Sequence, residues 1–336
     1  MKTAFITGAA GFIGFHLAEL LLQEGWSVFG YDGLTDYYDV GLKQKRLDIL
    51  RQHSRFQFTM GMLEDQEKLS SSLEAAMPCV VVHLAAQAGV RYSLENPRSY
   101  IDSNIVGTFN IIEIARQLQV QHLLMASTSS VYGANIELPF SEEQKVDTPL
   151  TIYAATKMAN EAMAHSYAHI YGVPTTMFRF FTVYGPWGRP DMALFKFTKG
   201  IIEGTPIEIY NNGEMWRDFT YVADLVLSVR KLMDKVPGRS ETAVAGDSLS
   251  QAAPFRVVNI GNSEKVRLLD FIEAIEDALG RKAIRTYKPM QTGDVPATWA
   301  SAQLLFKLTG FRPRTSVKEG IANFVSWYKQ YYGVEA

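Results

Sequence analysis

Short apolar runs alternate with longer amphipathic runs along the first half of the chain. Continuous, β-branched apolar runs are typical of strands that are covered on both faces of a parallel sheet. The runs between them have the spacing of helices with one apolar face. This alternation predicts right-handed βαβ units. The predicted strands are 3–7, 26–31, 56–60, 80–84, 122–126 and 175–180, and the predicted helices are 12–24, 99–117 and 153–171.

The pattern changes after Phe180. Pro186, Gly188 and Pro190 punctuate a loop, and the elements that follow are shorter. One later apolar run, 257–260, predicts a strand that rejoins the first sheet.

Composition excludes several classes of protein. Hydrophobic residues make up 47% and charged residues 20% of the 336 residues, so a large core can form. A net charge of −2 gives no basic surface for nucleic acid. The single cysteine, Cys79, rules out an internal disulfide framework and a cysteine zinc cluster, and we expect no metal. The apolar run at the N-terminus is too short for a signal peptide or a membrane span, so we expect a cytoplasmic protein with no membrane partner.

A glycine-rich turn follows the first predicted strand and opens the first predicted helix. Gly8, Gly11 and Gly14 let the backbone turn tightly and approach a pyrophosphate, which the helix N-terminus attracts. Asp32 ends the second predicted strand, where its carboxylate can accept hydrogen bonds from the adenosine ribose. The carboxylate would repel a 2′-phosphate, and the neighbouring residue is Gly33 rather than an arginine that could bind one. The pattern therefore predicts NAD rather than NADP. The alternative is a plain strand–turn–helix with a surface aspartate.

These elements predict an α/β protein with a doubly wound, Rossmann-type parallel sheet and a smaller C-terminal α/β substrate domain. We expect the NAD-binding domain at 1–181, joined again by about 218–235 and 256–263, the substrate domain at 182–217 and 264–336, and an exposed loop at 236–255.

Tyr153 and Lys157 place a phenol and an ammonium one helical turn apart on the same face. A tyrosine with a pKa near 10 is a poor base at neutral pH, and nearby positive charge lowers that pKa. The pair follows the fifth predicted strand, which ends in the hydroxyl run 127–130 at the carboxyl edge of the sheet. A helix cap or turn is the alternative role for these hydroxyls, but four exceed what one cap needs.

Several segments together resemble the extended short-chain dehydrogenase/reductases that modify nucleotide sugars, and among them the UDP-glucuronate 4-epimerases, which form UDP-galacturonate. The resemblance covers essentially the whole chain. The glycine turn and the YxxxK motif specify only the superfamily, whereas two of the segments specify the uronate branch. The segments are TGAAGFIG, HLAAQAGV, ASTSSVYG, YAATK, RFFTVYGPWGRPDM and GDVPATWA. The two that specify the uronate branch are RFFTVYGPWGRPDM and HLAAQAGV with the RYS that follows it.

The resemblance implies a catalytic cycle on a UDP-sugar. NAD takes a hydride from C4, the 4-keto sugar turns over in the pocket, and the hydride returns to the opposite face. Tyr153 is then the acid/base on the 4-hydroxyl, Lys157 orients the nicotinamide ribose and lowers the pKa of Tyr153, and Thr128 shares a proton with O4. NAD is regenerated in each cycle, so it should be tightly held.

The resemblance also implies the binding residues. Arg217 contacts the diphosphate, Asp294 holds the uridine ribose, and Ser129, Ser130, Thr182 and Arg189 contact the sugar. The residues implied for NAD are Gly8, Gly11, Phe12, Ile13, Gly14, Asp32, Leu63, Leu84, Ala85, Ala86, Asn104, Tyr153 and Lys157.

Three other chemistries on this scaffold are the alternatives. Dehydratases carry Asp-Glu at the positions of Ser129 and Ser130, and UDP-glucuronate decarboxylases carry glutamate at Ser130. Two serines and Arg189 can hold a sugar carboxylate without like charge, although Arg189 also fits a surface arginine in a Pro/Gly loop. Neutral UDP-hexose 4-epimerases tend to carry asparagine at Thr182. A non-catalytic NAD-binding protein typically lacks the Tyr/Lys pair.

Two positions depart from the family pattern. Met62 replaces an aspartate that contacts adenine, and Gln291 replaces an arginine near the diphosphate. The role of Arg91 stays open. The predicted helices 99–117 and 153–171 resemble those that form a four-helix bundle between two subunits, which implies a homodimer.

Overall fold

The fold is built on strands that alternate with helices, as the hydrophobic pattern predicts. A computed structural model describes residues 2–238, 243–291 and 293–334. The strands are β1 (Thr3–Thr7), β2 (Ser27–Asp32), β3 (Phe56–Met60), β4 (Val80–His83), β5 (His122–Thr128), β6 (Thr175–Phe180), β7 (Thr182–Tyr184), β8 (Ile207–Ile209), β9 (Trp216–Arg217), β10 (Phe219–Tyr221), β11 (Phe255–Ile260), β12 (Val266–Arg267), β13 (Arg285–Tyr287) and β14 (Ala297–Thr298).

The helices differ in length and in the surface that they cover. None of those in the described part of the chain is long and apolar enough to cross a membrane. They are α1 (Phe12–Gln23), α2 (Val40–Leu50), α3 (Gln66–Ala76), α4 (Tyr92–Glu95), α5 (Pro97–Tyr100), α6 (Gly107–Gln117), α7 (Ile152–Tyr171), α8 (Ala193–Glu203), α9 (Val222–Met233), α10 (Leu268–Leu279), α11 (Gln303–Thr309) and α12 (Val317–Tyr332).

Seven of the described strands form one parallel sheet in the order β3-β2-β1-β4-β5-β6-β11. The reversal of strand order beside β1 is the mark of the doubly wound fold. The predicted late strand does rejoin this sheet, because β11 pairs with β6 from Phe255 against Thr175 onward.

Apolar residues bury both faces of the sheet, as continuous hydrophobic strands require. On one face α1, α9 and α11 pack against β1 and β4, and on the other α3, α6 and α7 pack against β4 and β5. A separate core lies between α8, α10 and α12, with Phe219 and Phe271 stacked at 3.8 Å between ring centroids.

The predicted helix 99–117 is interrupted. Between α5 and α6 the chain forms a wider, π-helical turn, Ile101–Val106. The Asn104 side chain is fully buried there and bonds to both backbone groups of Gln87, at 2.8 and 3.0 Å. Wide turns of this kind are frequent at functional sites.

The segment 236–255 is not the uniformly exposed loop that we expected. Asp247 forms a buried ion pair with Arg256 at 2.7 Å, in which each buried charge is offset by its partner. Phe255 is buried at the start of β11, whereas Gln251 and Ala252 are exposed. Part of the expected loop, 239–242, lies outside the described residues.

Asp218 joins the sheet to the later segments. Its fully buried carboxylate accepts backbone N–H bonds from Asn262 at 2.7 Å, Ser263 at 2.9 Å and Ala300 at 3.1 Å. Burial raises its pKa to about 6, and these bonds oppose the rise. One side chain therefore ties together three parts of the chain that are distant in sequence.

We expect Asp218→Ala to lower the free energy of unfolding by on the order of 3 kcal/mol, because three backbone N–H groups, two of them in buried hydrogen bonds, lose their acceptor. Denaturant unfolding of both proteins measures the difference. Asp234→Ala, at the exposed end of α9, is the control and should change stability by less than about 0.5 kcal/mol. Equal losses in the two variants would contradict this role.

Candidate active site

The glycine-rich turn between β1 and α1 is packed too closely for side chains. Gly8 has a φ of +74°, and its N–H donates to the carbonyl of Tyr31 at 2.8 Å. A Cβ on Gly14 would lie 2.0 Å from the carbonyl oxygen of Gly8, and one on Gly8 would lie 2.8 Å from the nitrogen of Ala85. Gly11 begins α1 without a side-chain cap. The N–H groups and dipole of α1 are thus available to a pyrophosphate.

A cleft of about 430 Å³ lies along the carboxyl edge of the sheet, where open α/β folds bind ligands. The predicted residues that line it are Gly8, Gly11, Phe12, Ile13, Gly14, Asp32, Leu63, Leu84, Ala85, Ala86, Thr128, Tyr153, Lys157 and Arg189. The predicted residues outside this lining, all of them described, are Asn104, Ser129, Ser130, Thr182, Arg217 and Asp294.

The Asp32 carboxylate is fixed on the wall of the cleft. It accepts hydrogen bonds from the N–H groups of Ala10 at 3.1 Å and Leu34 at 2.9 Å. Burial raises its pKa, and these bonds together with the charges of Lys43 and Arg46 oppose the rise. The carboxylate therefore keeps its position beside the glycine turn, with two cations near it that the sequence pattern did not indicate.

Tyr153 and Lys157 lie in the first turns of α7 and face the same cleft. Burial raises the pKa of Tyr153, while a hydrogen bond with Thr128 and the charge of Arg189 lower it. Lys157 donates to the carbonyl of Ala126 at 2.9 Å, and burial lowers its pKa to about 8. Arg189 is thus a cation, in addition to the predicted Lys157, that acts on the pKa of Tyr153.

Thr128 also shapes the turn that follows β5. Its hydroxyl accepts the N–H of Ser130 at 3.2 Å and donates to the hydroxyl of Ser130 at 3.2 Å. Ser129 and Ser130 are half-buried in the single 3₁₀ turn beside the cleft. The expected alternative, a capping role, is therefore part of what Thr128 does.

Ser127 serves the structure beneath the cleft. It donates to Glu161 at 2.6 Å, and Glu161 forms a buried ion pair with Arg179 at 2.7 Å. The guanidinium of Arg179 lies 4.8 Å from the ring centroid of Tyr132, whose hydroxyl donates to Asn259 at 2.8 Å. This network holds the end of β5 against β6 and β11 and so fixes the position of Thr128.

Arg189 enters the cleft from the loop after β7. Its guanidinium makes a two-point contact with Asp191, at 3.0 and 2.6 Å, and Tyr37 donates to the same carboxylate at 3.1 Å. Burial would lower the pKa of Arg189, but the charge of Asp191 raises it overall. The arginine is thus a permanent cation with a defined orientation, as carboxylate recognition requires.

A second polar group lies outside the cleft lining. Arg91 pairs with Asp294 at 3.3 Å, and Arg217 donates to the carbonyls of Trp216 and Val295 at 2.9 and 2.8 Å. Burial lowers the pKa of Arg217 and Asp294 opposes this, which indicates that the two side chains are close. The structure therefore brings Arg217, Asp294 and the unassigned Arg91 together.

Three predicted or questioned positions have other surroundings. Asn104 lies behind the cleft wall, so its position does not fit direct contact with a cofactor. Thr182 begins β7 and donates its N–H to the carbonyl of Asp218 at 3.1 Å. Met62 lines the cleft, and its carbonyl accepts the hydroxyl of Tyr31 at 3.0 Å.

Sequence reasoning missed the residues that reach the cleft from the segment after Asp32. Tyr37, Tyr38 and Lys43 all line it. The run of two tyrosines was the available signal, but its contact with Asp191 spans 154 residues and depends on the fold. Among the described residues no group of three or more His, Cys, Asp or Glu is arranged to hold a metal ion.

The comparisons with known proteins agree with this geometry. The family model described as GDP-mannose 4,6 dehydratase matches residues 5–324. The chain belongs to this family. It is 57% identical to a probable UDP-glucuronate 4-epimerase of Rhizobium meliloti over 97% of each chain.

Solved structures of the family superpose over nearly the whole chain. One is the UDP-glucuronic acid 4-epimerase of Bacillus cereus in complex with UDP-glucuronic acid and NAD, with 31% identity, a TM-score of 0.88, and coverage of 98% of this chain and 100% of that one. Another is a UDP-glucose 4-epimerase of Thermotoga maritima with UDP-glucose, with 26% identity, a TM-score of 0.86 and the same coverage. The predicted fold class and family resemblance are confirmed.

We expect Gly14→Ala to abolish retention of dinucleotide, because the added methyl group would overlap the Gly8 carbonyl and displace the turn. Bound nucleotide, released from purified protein and quantified by chromatography, measures this. Gly204→Ala is the control, since its Cβ would meet open space and only its φ of +67° is strained. Undiminished nucleotide in the Gly14 variant would refute the assignment of the turn.

Proposed function

We propose that this protein is an NAD-dependent UDP-glucuronate 4-epimerase, an isomerase that forms UDP-galacturonate through a 4-keto intermediate. One observation carries the proposal: Tyr153, Thr128 and Arg189 meet in a single cleft beside the glycine turn. Two of the relatives named above support the uronate substrate: that of Rhizobium meliloti is described as a probable UDP-glucuronate 4-epimerase, and that of Bacillus cereus binds UDP-glucuronic acid and NAD.

The residues present fit NAD. The cradle at Gly8, Gly11 and Gly14 excludes side chains and leaves room for a pyrophosphate, and Asp32 is placed for the adenosine ribose. Bound NAD supplies reversible hydride transfer at C4 of the sugar. The further residues proposed to contact it are Phe12, Ile13, Leu63, Leu84, Ala85, Ala86, Tyr153 and Lys157, and Asn104 supports this wall from behind.

Tyr153 and Thr128 move the proton of the sugar 4-hydroxyl. Burial keeps the pKa of the phenol raised even though the charge of Arg189 opposes it, so Tyr153 holds its proton until further positive charge lowers that pKa. The nicotinamide ring would add such charge when bound. Thr128 accepts or donates in the same hydrogen-bond chain. Lys157 orients the nicotinamide ribose.

The sugar carboxylate decides between this reaction and its alternatives. Arg189 supplies positive charge and three residues supply hydroxyls, namely Ser129, Ser130 and Thr182. The sugar carboxylate is therefore bound without a second carboxylate at Ser129 or Ser130. A dehydratase or decarboxylase would need a carboxylate at Ser129 or Ser130 to move protons at C5 or C6. A neutral UDP-hexose substrate would leave the Arg189 cation unused.

The nucleotide end of the substrate binds at the second polar group. Arg217 contacts the diphosphate and Asp294 holds the uridine ribose. Arg91 lies beside both and adds a second cation, which offsets the loss of the arginine that Gln291 replaces.

The proposed domains follow the cores except at α11, which lies within 264–336 but packs with α1 and α9 against the sheet. The NAD-binding domain comprises 1–181 with about 218–235 and 256–263, and the substrate domain comprises 182–217 and 264–336. The buried cluster of α8, α10 and α12 belongs wholly to the substrate segments apart from Phe219, which supports this division.

A homodimer is proposed through α6 and α7 as a four-helix bundle. Phe109 on α6 and Tyr171 on α7 are 42% and 51% exposed, and Phe109 contacts Tyr167 at 6.4 Å between ring centroids. Exposed aromatic side chains in one patch favour burial by a partner. We place the enzyme in the cytoplasm, because its one cysteine is unpaired and half-buried, which suits a reducing compartment.

The proposal is tested by NMR of UDP-glucuronate incubated with the purified protein without added NAD. We expect UDP-galacturonate to form, because the cofactor is regenerated and stays bound. UDP-glucose offered under the same conditions is the matched control. Faster conversion of UDP-glucose, or release of CO₂ as the main product, would overturn the proposal.

Tyr153→Phe should reduce turnover by at least about 10³-fold while NAD stays bound, because only the transferable proton is lost. Initial rates and bound nucleotide are measured together. Tyr167→Phe, on the same helix outside the cleft, is the control. Turnover near that of the wild type would show that another group moves the proton.

A further inference from the structure

The loop that carries Arg189 has a backbone that must be held in place. Gly185 has a φ of +145° and Trp187 a φ of +60°. A bulky residue in the left-handed region is strained and keeps that conformation only where its surroundings fix it. The position of Arg189, two residues later, therefore depends on contacts made by this loop.

The Trp187 side chain supplies one set of contacts. Its ring packs against Phe15 on α1 and against Trp327 and Tyr331 on α12, at 5.2–5.6 Å between centroids. His16, next to Phe15, donates from Nε2 to the carbonyl of Pro186 at 2.9 Å. Burial lowers the pKa of His16 to about 4, against the effect of this bond, so the ring is neutral at pH 7.

Arg46 supplies the contact between the Arg189 loop and the glycine turn. It is fully buried on α2, and one nitrogen, Nη1, donates to the carbonyl of Ala10 at 2.8 Å and to the hydroxyl of Tyr38 at 2.9 Å. The other, Nη2, donates to the carbonyls of Trp187 at 2.6 Å and Gly188 at 3.4 Å. A single planar guanidinium thus joins the glycine turn to the Arg189 loop.

The partners of Arg46 distinguish it from an ordinary buried ion pair. Its hydrogen bonds go to neutral oxygens, and the carboxylate of Asp32 acts on it only through space. A buried charge held by neutral groups is costly, so its value lies in the geometry that it imposes. A lysine could not span both loops, because it lacks the fork of donors.

We propose that Arg46 is a positioning residue that locks the Arg189 loop to the glycine turn, so that the sugar carboxylate and the hydride-transfer site keep one fixed relation. This rests on the proposed function. A 4-keto uronate is a β-keto acid. If Arg189 loosens its hold, the C5–C6 bond breaks, CO₂ leaves, and the electron pair stays at C5, which takes a proton. A UDP-4-keto-pentose that leaves the cleft before the hydride returns to its C4 would leave bound NAD in its reduced form.

Arg46→Lys tests the role with Arg51→Lys as control, since Arg51 is an exposed arginine at the end of the same helix. Products from UDP-glucuronate are resolved by NMR, and bound reduced cofactor is followed by absorbance. We expect the ratio of UDP-galacturonate to UDP-4-keto-pentose to fall at least about tenfold in the Arg46 variant alone, with NAD still bound. An unchanged ratio overturns the proposal, and so does loss of NAD with no change in products.

A second measurement does not depend on turnover. Hydrogen exchange of the peptide that spans 184–192 should accelerate in Arg46→Lys and, by less, in His16→Phe, which keeps the aromatic packing but removes the bond to Pro186. Unchanged exchange in the folded variants overturns the proposal, and His16→Phe decides if the Arg46 variant does not fold. If the wild type exchanges slowly at this loop but does not epimerise UDP-glucuronate, the proposed function fails while the clamp stands.

Discussion

The approach of Gly14 to the carbonyl oxygen of Gly8 constrains the rest of the site. Only hydrogen fits between them, so α1 begins directly against the end of β1. That contact sets where the helix dipole points and how deep the cleft can be. The residues at the ends of β2, β4 and β5 then face the same space because parallel strands all end at one edge.

The charged side chain that enters the cleft, Arg189, is held by an ion pair with Asp191 rather than left free in solvent. The Arg189–Asp191 contact keeps a half-buried guanidinium oriented, and Tyr37 donates to the same carboxylate. A substrate carboxylate that binds Arg189 must compete with Asp191 or share the remaining donors. The sugar ring turns over between two hydride transfers, so the group that binds its carboxylate must be able to release it and bind it again. Arg189 allows this because its charge stays paired with Asp191 when the substrate carboxylate is released.

What the sequence predicts well is local. The glycine turn needs three residues and the Tyr153–Lys157 pair needs one helical turn, so their spacing and their place after predicted strands locate both, and the strands themselves follow from their hydrophobic runs. The π-helical turn at Ile101–Val106 could not be predicted, because the partners of Asn104 are Gln87 and Thr156, which only the fold brings near. The bond between Tyr37 and Asp191 is of the same kind.

At the proposed site for the nucleotide end of the substrate, the number of free N–H donors on Arg217 limits what this residue can bind. Arg217 has five N–H donors. Nη1 donates to the carbonyls of Trp216 and Pro296, and Nη2 donates to the carbonyl of Val295. It therefore fixes its own loop first and offers the remaining donors to a diphosphate. With Arg91 and Asp294, the group carries one net positive charge, too little to neutralise a diphosphate alone. Arg91 therefore makes up for the charge that Gln291 lacks, but further donors must come from backbone N–H groups or from Lys265, whose ammonium lies 4.8 Å from the ring of the neighbouring Trp216.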